Sequence, residues 1–379
     1  MSRSTTPRLY GVPRIRKLRA DSPQAFASQS IEEARRQIQV CNACRYCEGY
    51  CAVFPAINRE RAFSDGDITQ LANLCHNCRG CYHACQYTAP HEFGLNLPRA
   101  LAEVRTESWE RFAWPRGLAQ VFQRQGVALA TALVAGVALL FLALAALRPE
   151  TGTGFYAYLS HTAMVAIFTP AFLFPVLAII IGLRSYWRET EGNPVRWMEL
   201  RTAILDAGRL KNLSGGPAKG CNFEKGDRFT NARKHAHQAT MWGFLLCFAA
   251  TTSGTIMHYG FDAQAPYGFW SLPKLLGVPG GILLTVGAAS LAWLKIKADP
   301  ALGAPDLWGG EMAFVFLLGL TGASGLALYA ATGTTLVPML LGLHLGSVFT
   351  FFLTTPYSKM AHGFYRMASI VRDAQKKQL

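Results

Sequence analysis

Charge is scarce in this chain. Only 16% of its 379 residues are Asp, Glu, Lys or Arg, against roughly 25% in ordinary soluble domains, so a chain solvated over its whole length is excluded. Cysteine, at 10 residues, is too sparse for a small disulfide-stapled scaffold. The first 40 residues are basic and polar without an apolar h-region, so no secretory signal is expected. A P-loop, a hydrolytic constellation and a low-complexity tract are also missing. Gly152-x-Gly154-x-x-Ala157 imitates a dinucleotide fingerprint but lacks the strand before and the helix after; it reads as a turn. No residues are left that would oxidise an organic substrate, and no catalytic residue is assigned.

What the chain does hold is divided near residue 125. Eight of the ten cysteines precede that point, and six apolar runs follow it, at about Gly126–Leu147, His161–Leu183, Ala239–Tyr259, Leu275–Leu294, Met312–Ala331 and Pro338–Tyr357. Each reaches the ~20 residues that cross a ~30 Å hydrocarbon core at 1.5 Å per residue. Pro279, Gly280 and Gly281 leave room for a kinked or partly re-entrant fourth span. The expected architecture is all-α. Residues 1–125 form one domain and residues 126–379 a six-helix transmembrane domain, with a long loop at 184–238.

The positive charge is lopsided. Of 37 Lys and Arg residues, 35 fall in the N-terminal part, the 184–238 and 295–311 loops and the tail, and 2 in the other connections. That is the positive-inside pattern for a multi-pass protein with both termini in the cytoplasm. It accounts for the net charge of +14 by attraction to anionic lipid, with no nucleic acid involved.

Two segments predict helices in the polar part, the first by a capping-box sequence. Ser30-Ile31-Glu32-Glu33 opens one, and Ser64-Asp65-Gly66-Asp67 opens another that runs into the second cysteine group. In the long loop, Trp197, Leu200, Ile204 and Leu205 with Arg196 and Arg201 suit either the membrane surface or packing on the cysteine domain.

The strongest signal is Cys41-x2-Cys44-x2-Cys47-x3-Cys51, repeated as Cys75-x2-Cys78-x2-Cys81-x3-Cys85. Three thiolates two residues apart grip three corners of a cubane, and in two-cluster ferredoxins the fourth ligand comes from the other motif. Cys41, Cys44, Cys47 and Cys85 are thereby assigned to one [4Fe–4S] cluster, and Cys75, Cys78, Cys81 and Cys51 to another. Zinc knuckles pair cysteines and leave the third unexplained. Ala52 and Gln86 stand where bacterial ferredoxins carry proline, which points to a helical ferredoxin-like module. Cys221 and Cys247 have no ligand spacing and read as ordinary thiols.

Histidines at membrane depth are functional candidates. His161, His258 and His344 lie toward one surface, and His235, His237 and His362 toward the other. Haem b bound by two imidazoles needs one such pair, and two stacked haems need a pair at each surface. On one continuous helix, His344 and His362 are five turns and about 27 Å apart, facing one way. His237 lies within about 60° of the face of His258, whereas His235 is about 140° away. The expected pairs are His237 with His362, and His344 with His258, with His161 a rival for the second pair.

CNACRYCEGYCAVFP, LCHNCRGCYHACQY and the histidine-bearing apolar half together resemble the tricarballylate, or citrate, utilisation protein B family along nearly the whole chain. The apolar half is more loosely similar to the gamma subunit of respiratory nitrate reductase, which binds two b haems. The resemblance implies an electron-transfer subunit of the bacterial inner membrane. It would reoxidise a partner FAD-dependent dehydrogenase, such as tricarballylate dehydrogenase, and pass electrons to quinone. The competing readings are a transporter or a sensor carrying a redox-responsive Fe–S domain. Against a transporter stands the lack of an inverted repeat.

Overall fold

The computed structural model describes residues 23–147, 154–214, 221, 229–263, 265–304 and 308–378. The start of the basic leader and Gly152 lie outside the described residues. In chain order the helices are α1 (Pro23–Cys44), α2 (Val53–Arg59), α3 (Asp65–Leu74), α4 (Gly80–His83), α5 (Leu97–Phe112), α6 (Leu118–Leu147) and α7 (His161–Glu189). They continue as α8 (Trp197–Gly208), α9 (Ala232–Phe261), α10 (Leu272–Lys297), α11 (Trp308–Ala330), α12 (Val337–Thr354) and α13 (Ala361–Lys376). Among the described residues there is no strand, only a pairing of Cys221 with Thr230.

The cysteine module is built from α1 to α5 around Ile38, Ile57, Ile68, Leu71, Leu101 and Val104. α3 opens on a capping box: Asp67 N–H donates to Ser64 Oγ at 3.2 Å, and Ser64 N–H to the Asp67 carboxylate at 2.9 Å. α1 departs from expectation. It begins at Pro23, so Ser30 sits inside the helix rather than capping it; proline in the first turn costs no hydrogen bond.

The module is not closed by its own sequence. Ala203 of α8 and Ile370 and Val371 of α13 complete its core. Glu199 of α8 accepts from Gln375 Nε2 at 3.0 Å, which settles α8 as packed on the module. Trp197, Met198, Ile204 and Leu205 remain exposed there. α13 runs beside the end of α7, in step along its length: Tyr186 bonds Ser369, Arg372 Nε donates to Thr190 O at 3.0 Å, and Asn193 N–H to Gln375 Oε1 at 3.1 Å. Lys376 then pairs with Glu60 at 2.8 Å and Asp67 at 2.5 Å, and Asp373 pairs with Arg59.

Six helices, α6, α7, α9, α10, α11 and α12, are long and apolar enough to cross a membrane. α6 is kinked at Gln125, where the composition changes. α10 runs through Pro279 without a break, and Gly280 and Gly281 serve as contact points with α9 and α11. Small residues allow such close approach where burial alone gives little drive to associate. A Cβ at Gly243 would lie 2.4 Å from the Leu284 nitrogen, and one at Gly346 2.8 Å from the Val134 carbonyl oxygen.

The sixth span requires a correction. α12 ends at Thr354 and a turn separates it from α13, so His344 and His362 do not share one helix. Pro356 lacks an N–H and crowds the preceding turn, which stops the helix. The turn is held by Glu311, which bonds Lys359 at 2.8 Å and also pairs with Lys295. That arrangement joins the ends of α10 and α11 to the start of α13.

The glycine contacts give a stability test. Gly243→Ala should destabilise the protein by about 1–3 kcal/mol through overpacking, whereas Gly136→Ala, with nothing within 4 Å of the added carbon, should change it by less than about 0.5 kcal/mol. Thermal denaturation in detergent measures both, and equal effects would contradict the α9–α10 packing.

Candidate electron-transfer site

The two cysteine motifs occupy helix ends. α1 delivers Cys41 and Cys44 at its last turn, and Arg45, with φ 56°, reverses the chain toward Cys47. α3 delivers Cys75 at its end, after which Asn77 and Arg79, with φ 50° and 68°, wind the loop that holds Cys78 and Cys81. Left-handed residues there turn amide groups inward: Asn77 N–H meets Cys75 Sγ and Tyr87 N–H meets Cys85 Sγ, each at 3.4 Å.

The fold brings thiols of the two motifs together. Cys41, Cys44, Cys47 and Cys85 line one cavity of about 260 Å³, which Cys81 of the second motif also borders, with Val40, Phe54 and Pro98. Cys51 lies near Cys78 and Cys75, and Cys81 near Cys78, Cys51, Cys75 and Cys47. Among the described residues no three His, Cys, Asp or Glu side chains converge to hold a single metal ion. Thiols ringing a cavity suit a cluster better than one zinc. Burial, followed by Cys85, pushes Cys41 and Cys47 up to about 12, so these sulfurs need bound cations to exist as thiolates. Tyr46, 69% exposed, stands at the mouth of the cavity.

The loop bearing Cys75 faces the apolar bundle. Arg366 of α13 donates from Nη2 to Cys75 O at 2.8 Å and from Nε to Asn73 O at 3.2 Å. Arg105 of α5 donates to the same Cys75 oxygen at 2.9 Å. Arg233 of α9 donates to Asn77 O at 2.7 Å, and Asn96 reaches Ala301 O at 3.0 Å. Burial lowers Arg366 to about 9, which leaves it charged at neutral pH. His76 bonds Leu74 O at 2.8 Å within the same loop. Cys221, 1% exposed, packs beside Cys78 with Leu210 and Leu213, a proximity its isolation in the sequence concealed.

On the bundle side of this loop, His237 of α9 meets His362 of α13. Their ring centres are 5.9 Å apart and the rings are perpendicular. Two imidazoles on opposite faces of one iron, with metal–nitrogen bonds of about 2.0–2.1 Å, stand roughly 6 Å apart between ring centres. His362 donates from Nδ1 to the Lys359 carbonyl, which leaves Nε2 free as a ligand atom. Burial, followed by Arg366, holds the His362 imidazole well below its ordinary pKa, in the neutral form that binds metals. The pair therefore fits haem. His235, two residues before His237, is exposed and joins no pair.

At the far end the expected partners are differently arranged. His258 stacks on His161, with centres 4.3 Å apart and planes 26° apart, and Tyr259 Oη lies 3.4 Å from His161 Nε2. His344 instead turns to α11, bonding Ser324 Oγ at 3.1 Å. Gly325 makes room for it, since a Cβ there would be 2.9 Å from the ring. The structure thus brings His161, not His344, onto His258. Glycyl Gly154 and Ala157 fall in a short turn of 3₁₀ helix, in keeping with the turn reading.

The arginines were missed by sequence reasoning, although a signal existed. Arg366 follows His362 by four residues and Arg233 precedes His237 by four, one helical turn each.

Comparison with known proteins meets this geometry. Residues 34–110 match the family model described as citrate utilization protein B Fer4-like domain, and residues 116–379 match the model for citrate utilization protein B. The chain belongs to that family. It is 44% identical over 352 residues to citrate utilization protein B of Escherichia coli, covering 91% of this chain and 92% of that protein. No solved structure matches. A Fer4-like domain joined to six apolar helices suits a redox role at a membrane for members of this family.

The crossed thiol sets predict crossed damage. Cys85→Ser should remove the EPR signal of the centre built on Cys41, Cys44 and Cys47, and Cys51→Ser that of the centre built on Cys75, Cys78 and Cys81. Damage confined to each residue's own motif would contradict the sorting.

Proposed function

We propose that the chain is an electron-transfer protein of the bacterial inner membrane, with both termini cytoplasmic. It takes electrons from a partner FAD-dependent dehydrogenase of the tricarballylate dehydrogenase kind and delivers them to the quinone pool. It thereby serves citrate or tricarballylate use. When bound, two [4Fe–4S] clusters and two b haems supply one-electron carriage. Cys41, Cys44, Cys47 and Cys85 hold the outlying cluster, and Cys75, Cys78, Cys81 and Cys51 the one against the bundle. His237 and His362 hold the nearer haem. A farther haem would draw its ligands from His258, His161 and His344, of which His258 and His161, stacked at 4.3 Å, stand closer than two imidazoles on one iron do and would have to part to hold it.

The observation that carries this reading is the order of the sites. The outlying thiol set opens to solvent at Tyr46, where a soluble flavoprotein has access. The second set shares its loop with Arg366, whose helix carries His362. His362 and His237 stand where the module meets the apolar helices. This succession supports a route from the exposed face toward the apolar helices, with each residue assigned to hold or orient a carrier. The chemistry on the organic acid is assigned to the partner. The 35-to-2 split of basic residues supports the cytoplasmic side for the module, where such a partner resides.

His362→Ala tests the reading. The purified variant should keep both clusters, lose roughly half of its b-type absorbance by loss of one of the two bis-imidazole sites, and fail to reduce quinone when the clusters are reduced. Quinone reduction at the unaltered rate would overturn the route through His362. Absence of any b-type spectrum in the unaltered protein would overturn the haem assignment.

A further inference from the structure

Two positive charges converge on one oxygen beside Cys75. Arg105 Nη1 and Arg366 Nη2 donate to the same Cys75 carbonyl, at 2.9 and 2.8 Å. Arg105 is 8% exposed. Among the described residues neither guanidinium has a carboxylate at ion-pair distance. Arg105 lies over the Trp109 ring at 5.9 Å, which offsets only part of its lost hydration. Withdrawing a cation from water costs several kcal/mol unless an opposite charge replaces the solvent, and here two cations also repel each other. Simple structural clamping of a loop does not need that arrangement, since neutral donors would bond the carbonyls at lower cost. The arrangement fits a site where negative charge resides, and the thiol beside it is that of Cys75, the first of the second set.

We propose that Arg105 and Arg366 are the counter-charge of the cluster held by the second thiol set, raising its reduction potential above that of the first set. The proposal rests on the electron-transfer reading above and assigns positioning residues to it. Reduction of this cluster takes one electron from the outlying cluster, adds one negative charge beside Cys75, and makes or breaks no bond. The electron leaves to the iron held by His237 and His362. Fixed positive charges stabilise the reduced form and draw the electron inward. The outlying set, open at Tyr46, has no equivalent pair of guanidiniums in its cavity lining. Arg366 also links the two sites mechanically: it rises one turn after His362 on α13, so any shift of that helix moves both.

The test is an EPR redox titration of the full-length protein in detergent, with the second centre identified as the one lost in Cys81→Ser. Arg366→Gln and Arg105→Gln should each make electron transfer from the first to the second cluster at least tenfold less favourable, a fall of about 59 mV for one electron. The first centre should stay unchanged. Arg366→Lys keeps the charge and should hold the potential near that of the unaltered protein, although it cannot reproduce both backbone bonds. Unchanged potentials in both glutamine variants would overturn the proposal. So would equal shifts of both centres, or an Arg366→Lys potential as low as that of Arg366→Gln. If Arg366→Gln fails to assemble the cluster, Arg105→Gln and Arg366→Lys decide by the same criteria. Failure of the electron-transfer reading is separate and visible first, because the unaltered protein would then lack a cluster on the second motif.

Discussion

The structure turns on the end of α3 and the loop after it, residues 72–77, gripped by three arginines from three helices. α5 belongs to the cysteine module, α9 to the apolar bundle, and α13 to both. Their guanidiniums all end on backbone carbonyls of this loop. Carbonyl acceptors carry only partial charge, so the positive charge is left to act on whatever the neighbouring thiols bind. The same bonds fix the loop relative to His237 and His362, whose helices supply two of the three arginines. Geometry and electrostatics are therefore set together.

A consequence is that module and bundle form one body. The core of the module is finished by α8 and α13, and α13 runs in step with the end of α7. A chain divided near residue 125 by composition is thus sewn together by residues more than 200 positions later. For electron transfer this suits the task, because rates fall steeply with distance and a hinged module would vary the gap between carriers. Pro356 serves the same end. By stopping α12 it frees α13 to turn into the module, and the Lys295–Glu311–Lys359 cluster holds that turn in place.

What was legible in the sequence follows the range of the interaction that creates it. Thiol spacing is local, so both motifs could be read directly, and the exchange of a fourth cysteine between them was an expectation drawn from that spacing. The apolar runs were equally plain, and the extra turns of α7 and α9 beyond them come from polar residues that pack outside the apolar zone. The pairing of His237 with His362 was anticipated from helical phase along a continuous sixth helix, a premise Pro356 removes; the two residues meet because α13 returns to the bundle edge. His258 was matched with His344, whereas the fold stacks it on His161, since rotation about α12 points His344 at Gly325 and Ser324. The position of α8 was undecidable, because lipid and protein surfaces select the same amphipathic pattern. The arginines were hidden because a bond from Arg366 to Cys75 spans 291 residues.

The proposed route carries electrons from the outlying thiol set through the Cys75 loop to the His237–His362 pair. Rapid freeze-quench EPR after mixing the oxidised protein with a stoichiometric reductant follows this directly. The outlying centre should be reduced first, the second centre next and the haem held by His237 and His362 last, and in Cys81→Ser the haem should stay oxidised while the outlying centre is reduced. Haem reduction at an undiminished rate in Cys81→Ser, or before the second centre in the unaltered protein, would contradict the claim.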